Sequence, residues 1–472
     1  MTADDLLAAT GGTLIRRSAR AIRGGAVDSR LVTRDCLFVA LAGERTDGHR
    51  YLAAAVEAGA AAIVVGRDPD ATEPPFADLG DVTIIRVVDP LRALHAIAAA
   101  WRTRFGPVVV GITGSIAKTS TKEAVAGVLA ERCITLKTEG NQNNEVGMPL
   151  TVLRLGPEHG AVVLEMGMYT GGEIAELAAI GRPSIGIVTT VQPVHLSRIG
   201  SLDAIENAKA ELVEALPPAA DGGVAILNAD DERVRRMASR TPARVVTYGF
   251  AADADVRAGA VEAAGFDGMR FRLVTPAGER DVAIPALGRL AVHNALAATA
   301  AGLAAGMTLD EIVPGLAAGS TAPHRSVVLR AGGVTIVDDA YNASPGSMLA
   351  ALDLLDGLPG RHVAVLGEMR ELGDMHDDGH RRVGAAAAAL DLLVVVDGLP
   401  GGAASGIADA AVEAGLAAER CLAVADAPGA VAGLAGRLVP GDVVLVKASR
   451  GVELERVVEG LVEALGGVGG AA

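Results

Sequence analysis

Short apolar runs alternate along the whole chain with glycine-punctuated amphipathic stretches, a pattern that predicts alternating strands and helices. In the first hundred residues LFVAL (37–41), AAIVV (61–65) and VTIIRV (82–87) are strand-length. Between the first two, YLAAAVEAGA spaces its apolar residues as a helix does and stops at glycine. The opening MTADDLLAATGG reads as an amphipathic helix.

From Pro107 the order becomes strand, glycine-rich turn and helix: VVVGIT, GSIAKTS, then helix formers to Arg132. Strand candidates at 161–166, 185–191 and 224–227 follow with helical spacers, which predicts parallel βαβ units. Residues 256–284 alternate around Gly and Asp turns as antiparallel strands do, and a helix over 292–305 closes that part. AAGSTAPHRS reads as a linker. Beyond it VTIVDD, HVAVLG, LLVVVDG and VVLVKAS alternate with helical segments at 347–355, 378–389 and 452–465, predicting a second doubly wound sheet and, after Leu465, a frayed Gly/Ala tail.

At 472 residues the chain has room for about three domains. The expected fold class is therefore α/β in three domains: a small α/β unit at 1–106, a central parallel sheet with a small antiparallel sheet at 107–321, and a Rossmann-like unit at 322–472. Half the residues are apolar, but every long apolar run is broken short of the roughly 18 residues a membrane span needs. The acidic N-terminus lacks a secretory signal's basic start and apolar centre, so a soluble, cytoplasmic protein without membrane insertion is expected. Cys36, Cys133 and Cys421 are scattered without CxxC spacing, which supports neither a zinc site nor a disulfide framework and makes reduced, buried thiols the better reading. A net charge of −15 argues against nucleic-acid binding and leaves room for a local phosphate pocket.

The strongest chemical signal is GITGSIAKT, from Gly111 to Thr119, after an apolar strand and opening a helix. A phosphate loop needs that setting: backbone N–H groups from Gly114 through Ser115, Ile116, Ala117 and Ser120 cradle an anion, Lys118 neutralises β- and γ-phosphates, and the Thr119 hydroxyl suits Mg²⁺. The bland alternative is an ordinary glycine turn. Ala117 stands where such loops usually carry glycine, and its Cβ crowds the phosphates or disfavours a positive φ.

TGSIAKTSTKE is followed in order by EGNQNNEVGMPL, VLEMGMYTGGEIAEL, TTVQPVHLSRIGSLDAIENAKAEL, ILNADDERV, LAVHNALAATAAGL, DDAYNASPGSM, VLGEMRELG and VLVKASRG. Together these resemble the Mur ligase family over nearly the whole chain. DDAYNASPGSM, with the early DSR and GERTDGHRYL, is similar to the family members that add D-alanyl-D-alanine.

The resemblance implies an ATP-dependent acid–amino-acid ligase of peptidoglycan synthesis, acting as a monomer. ATP phosphorylates the terminal carboxylate of a UDP-muramoyl-tripeptide, and the amine of D-Ala-D-Ala attacks the acyl phosphate. It makes the three domains UDP-sugar-binding, ATP-binding and dipeptide-binding, with Mg²⁺ as cofactor. Glu165 and His195 become metal ligands, His195 with a catalytic part. Lys209 aligns with a lysine that the family carbamylates, and its plain alternative is a solvated helix lysine paired with Glu206 or Glu211.

Asn141, Asn143 and Asn144 would approach phosphate or substrate, or else form a turn. Asn294 resembles an adenine contact, though a polar residue opening a helix is equally a cap. Arg325 is placed like a third-domain residue reaching ATP phosphate, and Asp339 like a ribose-binding acid. Asn342, Ser344 and Pro345 would line the dipeptide pocket with Tyr341 nearby. In the first domain Ser29, Arg30, Thr46, Asp47 and His49 are candidates for the uridine diphosphate and sugar, where loops rich in Gly, Asp and His are often only loops. Two rivals remain: a sibling ligase adding another amino acid or dipeptide, and a nucleotide-binding paralogue weakened in catalysis, which Ala117 suggests and the retained Lys118, Glu165, His195 and Lys209 oppose.

Overall fold

Runs of β-branched residues that are buried on both faces become the central strands of three sheets, each covered by helices. The computed structural model describes residues 1–43, 46–193, 199–319 and 322–467. His195, residues 320 and 321 of the expected linker, and the tail from 468 lie outside them.

The first sheet has five strands in the order Thr13–Arg16, Thr83–Arg86, Ala62–Val65, Leu37–Val39 and Gly25–Ala26, parallel except for the first pair. Helix Pro90–Arg102, capped by Asp89 with proline in its first turn, carries the chain towards the central sheet. Its buried Leu94, Ile97 and Ala98 join one core cluster with Val109, Leu136, Met148 and Leu177, so the first and central sheets share a continuous interior.

The central sheet has nine strands. Its parallel part begins at Val108–Thr113 and grows to one side through Ala161–Glu165 and Thr135–Lys137. The chain then crosses to the other side through Ile185–Val188, Val224–Asn228 and Arg244–Gly249. This reversal leaves a crevice at the carboxyl ends of the strands, where open α/β sheets bind ligands. The antiparallel strands Val256–Ala263, Met269–Thr275 and Gly278–Ile284 continue the same sheet, because Tyr248 and Gly249 pair with Val256 and Arg257.

The third sheet has six strands: Val327–Ala331, Val334–Asp338, Asp442–Lys447, Arg361–Leu366, Leu392–Val396 and Cys421–Val424. All neighbours are parallel except the first two, which form a hairpin whose two linking residues, Gly332 and Gly333, both have positive φ. Separate core clusters cover its two faces, as a doubly wound sheet requires.

Several boundaries move for local reasons. The strand expected over 185–191 ends at Val188, since Thr189 and Thr190 turn in to bond the phosphate loop. The helix expected from 452 starts at Glu455, because Glu453 is left-handed at φ 58°. The helix expected from 378 starts at His376. No helix among the described residues is long and apolar enough to cross a membrane, and all three cysteines are free thiols.

Candidate active site

The phosphate loop leaves strand Val108–Thr113 at Gly114, where φ is 148° and a Cβ would stand 1.8 Å from Thr189 Oγ1, so only glycine fits. Ser115 N–H donates to the Thr190 carbonyl at 2.8 Å, and Thr189 Oγ1 donates to the Ile116 carbonyl at 2.7 Å. The neighbouring strand end thus braces the loop from below. Helix Lys118–Ala130 follows, and its first backbone bond runs from Thr121 N–H to the Ala117 carbonyl. The N–H groups of Lys118, Thr119 and Ser120 precede that bond and form the positive end of the helix, suited to an anion.

Ala117 has φ 65° and ψ 1°, the left-handed conformation. An alanine there costs about 1 kcal/mol relative to an unstrained backbone. Ala117→Gly is expected to raise stability by about 0.5–1 kcal/mol, measured by chemical denaturation. A midpoint that stays put or falls would show that the loop carries no such strain.

Lys118 Nζ folds back over the loop and donates to the Gly114 carbonyl at 2.7 Å. Burial lowers its ammonium pKa, opposed by Glu165 and assisted by Arg325. Glu165, at the end of strand Ala161–Glu165 and 1% exposed, accepts from Asn143 Nδ2 at 2.7 Å and Thr119 Oγ1 at 3.2 Å through Oε1. Its Oε2 is buried without a hydrogen-bond partner among the described residues and faces the wholly buried Lys122 ammonium at 3.7 Å. Lys122 also pairs with Glu123, which Lys137 holds from outside. Lys122 was missed in the sequence, although it sits in the same TSTKE stretch as the loop lysine.

Lys209, on helix Leu202–Glu214, is 2% exposed and has no side-chain partner among the described residues. The solvated, ion-paired alternative is therefore excluded, since Glu211 instead caps the backbone at Gly172 and Ala175 and Glu206 binds Arg233. Burial pushes the Lys209 amine well below its usual pKa, and the Lys118 charge adds to the effect. Asn294 lies in the second turn of helix Arg289–Ala304, whose cap is Gly288, so it is no cap; its Oδ1 accepts from Thr121 Oγ1 at 2.9 Å.

The third sheet closes the site. Arg325 Nη2 donates to Thr119 Oγ1 at 3.2 Å, and its guanidinium lies over the Tyr341 ring at 4.3 Å. A second arginine, Arg450, approaches the same ring at 5.6 Å. Burial raises the Tyr341 phenol pKa. Asp339, expected at a ribose, has one oxygen on Lys447 Nζ at 2.5 Å and the other accepting from Ser326 N–H at 3.2 Å. Lys447 also donates to the Asn342 carbonyl, and Ser449 Oγ accepts from Arg370 N–H. Ser344 caps helix Pro345–Asp356, with Pro345 in its first turn.

One cavity of about 860 Å³ is lined by loop residues 115–120, the three asparagines of 141–144, Glu165, Lys209 and Asn294, and across from them Arg325, Asp339, Asn342 and Ser344. Pro345 does not line it, and His195 lies outside the described residues. Among the described residues no cluster of three or more His, Cys, Asp or Glu side chains surrounds a metal position. A lone carboxylate, a hydroxyl and phosphate oxygens are instead the sparse, hard donor set that Mg²⁺ accepts.

The match to known proteins spans the chain. Profiles of the "Mur ligase family, catalytic domain", the "Mur ligase middle domain" and the "Mur ligase, glutamate ligase domain" match residues 21–102, 112–302 and 324–450. A UDP-N-acetylmuramoyl-tripeptide--D-alanyl-D-alanine ligase of Mycobacterium tuberculosis (strain ATCC 25618 / H37Rv) is 39% identical over 468 residues, covering 92% of this chain and 91% of its own. The chain belongs to the Mur ligase family. Among solved Mur ligases, MurF from Acinetobacter baumannii superposes with a TM-score of 0.86 at 30% identity over 98% of both chains. MurF ligase from Thermotoga maritima in complex with ADP gives 0.81 at 29% identity, over 94% of this chain and 98% of that one.

In this Mur ligase the first-domain candidates stand apart from the cavity. Ser29 opens a short turn capped by Asp28, and exposed Arg30 pairs with Asp28. Thr46 Oγ1 donates to the Tyr51 hydroxyl at 3.1 Å. His49 is buried, with Nδ1 on Asp47 at 2.6 Å and Nε2 accepting from Gly66 N–H at 2.9 Å, so both ring nitrogens are engaged inside the domain. Hydrogen bonds from His49 and Arg67 hold Asp47 below the usual carboxylate range despite its partial burial.

Proposed function

We propose that this chain joins D-alanyl-D-alanine to UDP-N-acetylmuramoyl-tripeptide at the expense of ATP, forming the UDP-muramoyl-pentapeptide of peptidoglycan synthesis. The observation that carries the reading is one cavity shared by a phosphate loop and third-sheet residues, in a chain that aligns along nine-tenths of its length with ligases of that name. The ADP bound to the Thermotoga maritima relative supports a nucleotide at the loop.

A carboxylate resists amines, so ATP first phosphorylates the tripeptide's terminal carboxylate. The dipeptide amine attacks the acyl phosphate, and phosphate departs with its bonding pair. Lys118, the helix N–H groups and Arg325 hold the phosphates in line, with Lys118 and Arg325 countering the charge that develops. Asn294 holds the adenine side, and Asn141, Asn143 and Asn144 face the phosphoryl group and substrate carboxylate. Asn342 and Ser344 line the dipeptide's place, helix Pro345–Asp356 supports it, and Asp339 faces the ribose while anchored by Lys447. Ser29, Arg30 and Thr46 receive the uridine diphosphate and sugar, with Asp47 and His49 behind them. The third sheet keeps water from the acyl phosphate, which hydrolysis would waste.

Mg²⁺ fits the residues present: Glu165 carries a buried oxygen without a hydrogen-bond donor among the described residues, and its other oxygen meets the Thr119 hydroxyl. When bound it neutralises phosphate charge, held by Thr119 and Glu165 and, for a second ion, by His195 and a carbamylated Lys209. The Lys209 amine, buried and without a side-chain partner among the described residues, supports that modification. The proposed division is three domains at 1–106, 107–321 and 322–472; a change of sheet between Arg86 and Val108 and another between Ile284 and Val327 supports it. The enzyme acts in the cytoplasm as a monomer.

The test follows ADP release from ATP with UDP-muramoyl-tripeptide, with and without D-Ala-D-Ala. Release that depends on the dipeptide is expected. Equal release with D-Ala-D-lactate or a single amino acid would move the chain to a sibling activity, and no acceptor-dependent release would overturn the reading.

A further inference from the structure

Arg325 is the third sheet's contact with the phosphate loop, and its backbone is held in an unusual way. It lies between two residues in the left-handed region, His324 at φ 58° and Ser326 at φ 52°. Non-glycine residues adopt that conformation uncommonly, and two of them flanking one residue persist where the surroundings hold them.

The surroundings are two consecutive acids at the end of strand Val334–Asp338. On one side of Arg325, His324 Nδ1 lies 2.7 Å from Oδ2 of Asp338, which is 3% exposed and whose Oδ1 accepts from Ala340 N–H. On the other, Ser326 N–H donates to Asp339 Oδ1, and Lys447 anchors Asp339 from behind. The His324 carbonyl accepts from Tyr341 N–H at 3.1 Å, which ties the segment to the ring beneath the Arg325 guanidinium. Arg325 therefore enters the cavity along a fixed direction. Its Nη2 reaches Thr119, while its Nε is buried and has no acceptor among the described residues, a donor left for a phosphate oxygen.

We propose that His324 is a positioning residue: through Asp338 it holds the strained segment that aims Arg325 at the nucleotide's terminal phosphate. This deepens the ligase reading and rests on the phosphate loop binding ATP. His324 touches no reacting atom in this scheme and acts only through Arg325.

The decisive experiment is a double-mutant cycle over His324→Ala and Arg325→Ala. It is read by calorimetric binding of a non-hydrolysable ATP analogue and, in parallel, by kcat and KM for the dipeptide. Each single change is expected to weaken analogue binding about tenfold and lower kcat while leaving the dipeptide KM unchanged, and the double variant should match Arg325→Ala within about twofold. His324→Asn, which tolerates the left-handed backbone and keeps a donor for Asp338, should lie within about threefold of the parent. Losses that multiply to about a hundredfold in the double variant, or His324→Asn as weak as His324→Ala, overturn the proposal. If melting shows that His324→Ala is unfolded, His324→Gly, which adopts the left-handed backbone freely and lacks the ring, takes its place in the cycle with the same outcomes. A parent enzyme that releases no ADP on adding dipeptide would sink the ligase reading alone, since the binding cycle still judges His324.

Discussion

Lys118→Ala should cut turnover by about a thousandfold or more with little change in melting temperature. The ammonium is the loop's own cation, held over the Gly114 and Ser115 carbonyls by hydrogen bonds of 2.7 and 3.3 Å. A phosphoryl group in flight spreads negative charge over its oxygens, and a preorganised cation there is worth more in the transition state than in the ground state. The side chain contributes little to the core, so stability is largely spared. Steady-state ADP release beside a thermal melt checks both halves. An alanine variant within about tenfold of the parent would mean that another cation carries the charge, Arg325 being the nearest candidate.

Lys209→Ala comes next in size, with an expected loss of about a hundredfold, of which short carboxylates such as acetate or formate should restore about tenfold. A buried ammonium is costly where no counter-charge stands among the described residues, and burial lowers the amine's pKa, which favours the neutral form that adds CO₂. The proposed product, an N-carboxylate formed with release of one proton, would bring a negative charge to the cavity that Lys209 and Glu165 both line. Removing the methylene chain opens room for a small carboxylate in the same place. Full activity in Lys209→Ala, or a crippled variant deaf to added carboxylates, would remove the carbamate from the scheme.

What was legible in the sequence follows range of interaction. Buried β-branched runs such as AIVV and LLVVV declare themselves because both their faces are covered. The phosphate loop is also local: strand, Gly114, lysine and helix lie within a few residues. Strand Thr13–Arg16 escaped notice because its four residues are half exposed and end in arginine. The hairpin before Asp338 was visible in principle, since Gly332-Gly333 between two apolar runs marks a tight turn.

Other features had no local signal. No spacing announces that Arg325 will meet Thr119 from 206 positions away. Nor does the sequence reveal that His324 spends its ring on Asp338 or that Lys122 is sealed behind Glu165. Such partnerships are made by the packing of elements, and a lone histidine or lysine reads the same in either setting.

The core that runs from helix Pro90–Arg102 into Met148 and Leu177 has a consequence for how the enzyme is made. A nascent chain that has emerged only as far as helix Pro90–Arg102 can cover part of that helix with Leu6, Leu37 and Ile85, but the part that meets Met148 and Leu177 stays open, because those residues have yet to be synthesised. That segment must wait, greasy side outward, for roughly eighty further residues before it can shut, and in the meantime it is a natural client for chaperones. The last sheet builds most of the interior on each of its faces from its own residues, with Leu287 and Phe266 added from the part before it.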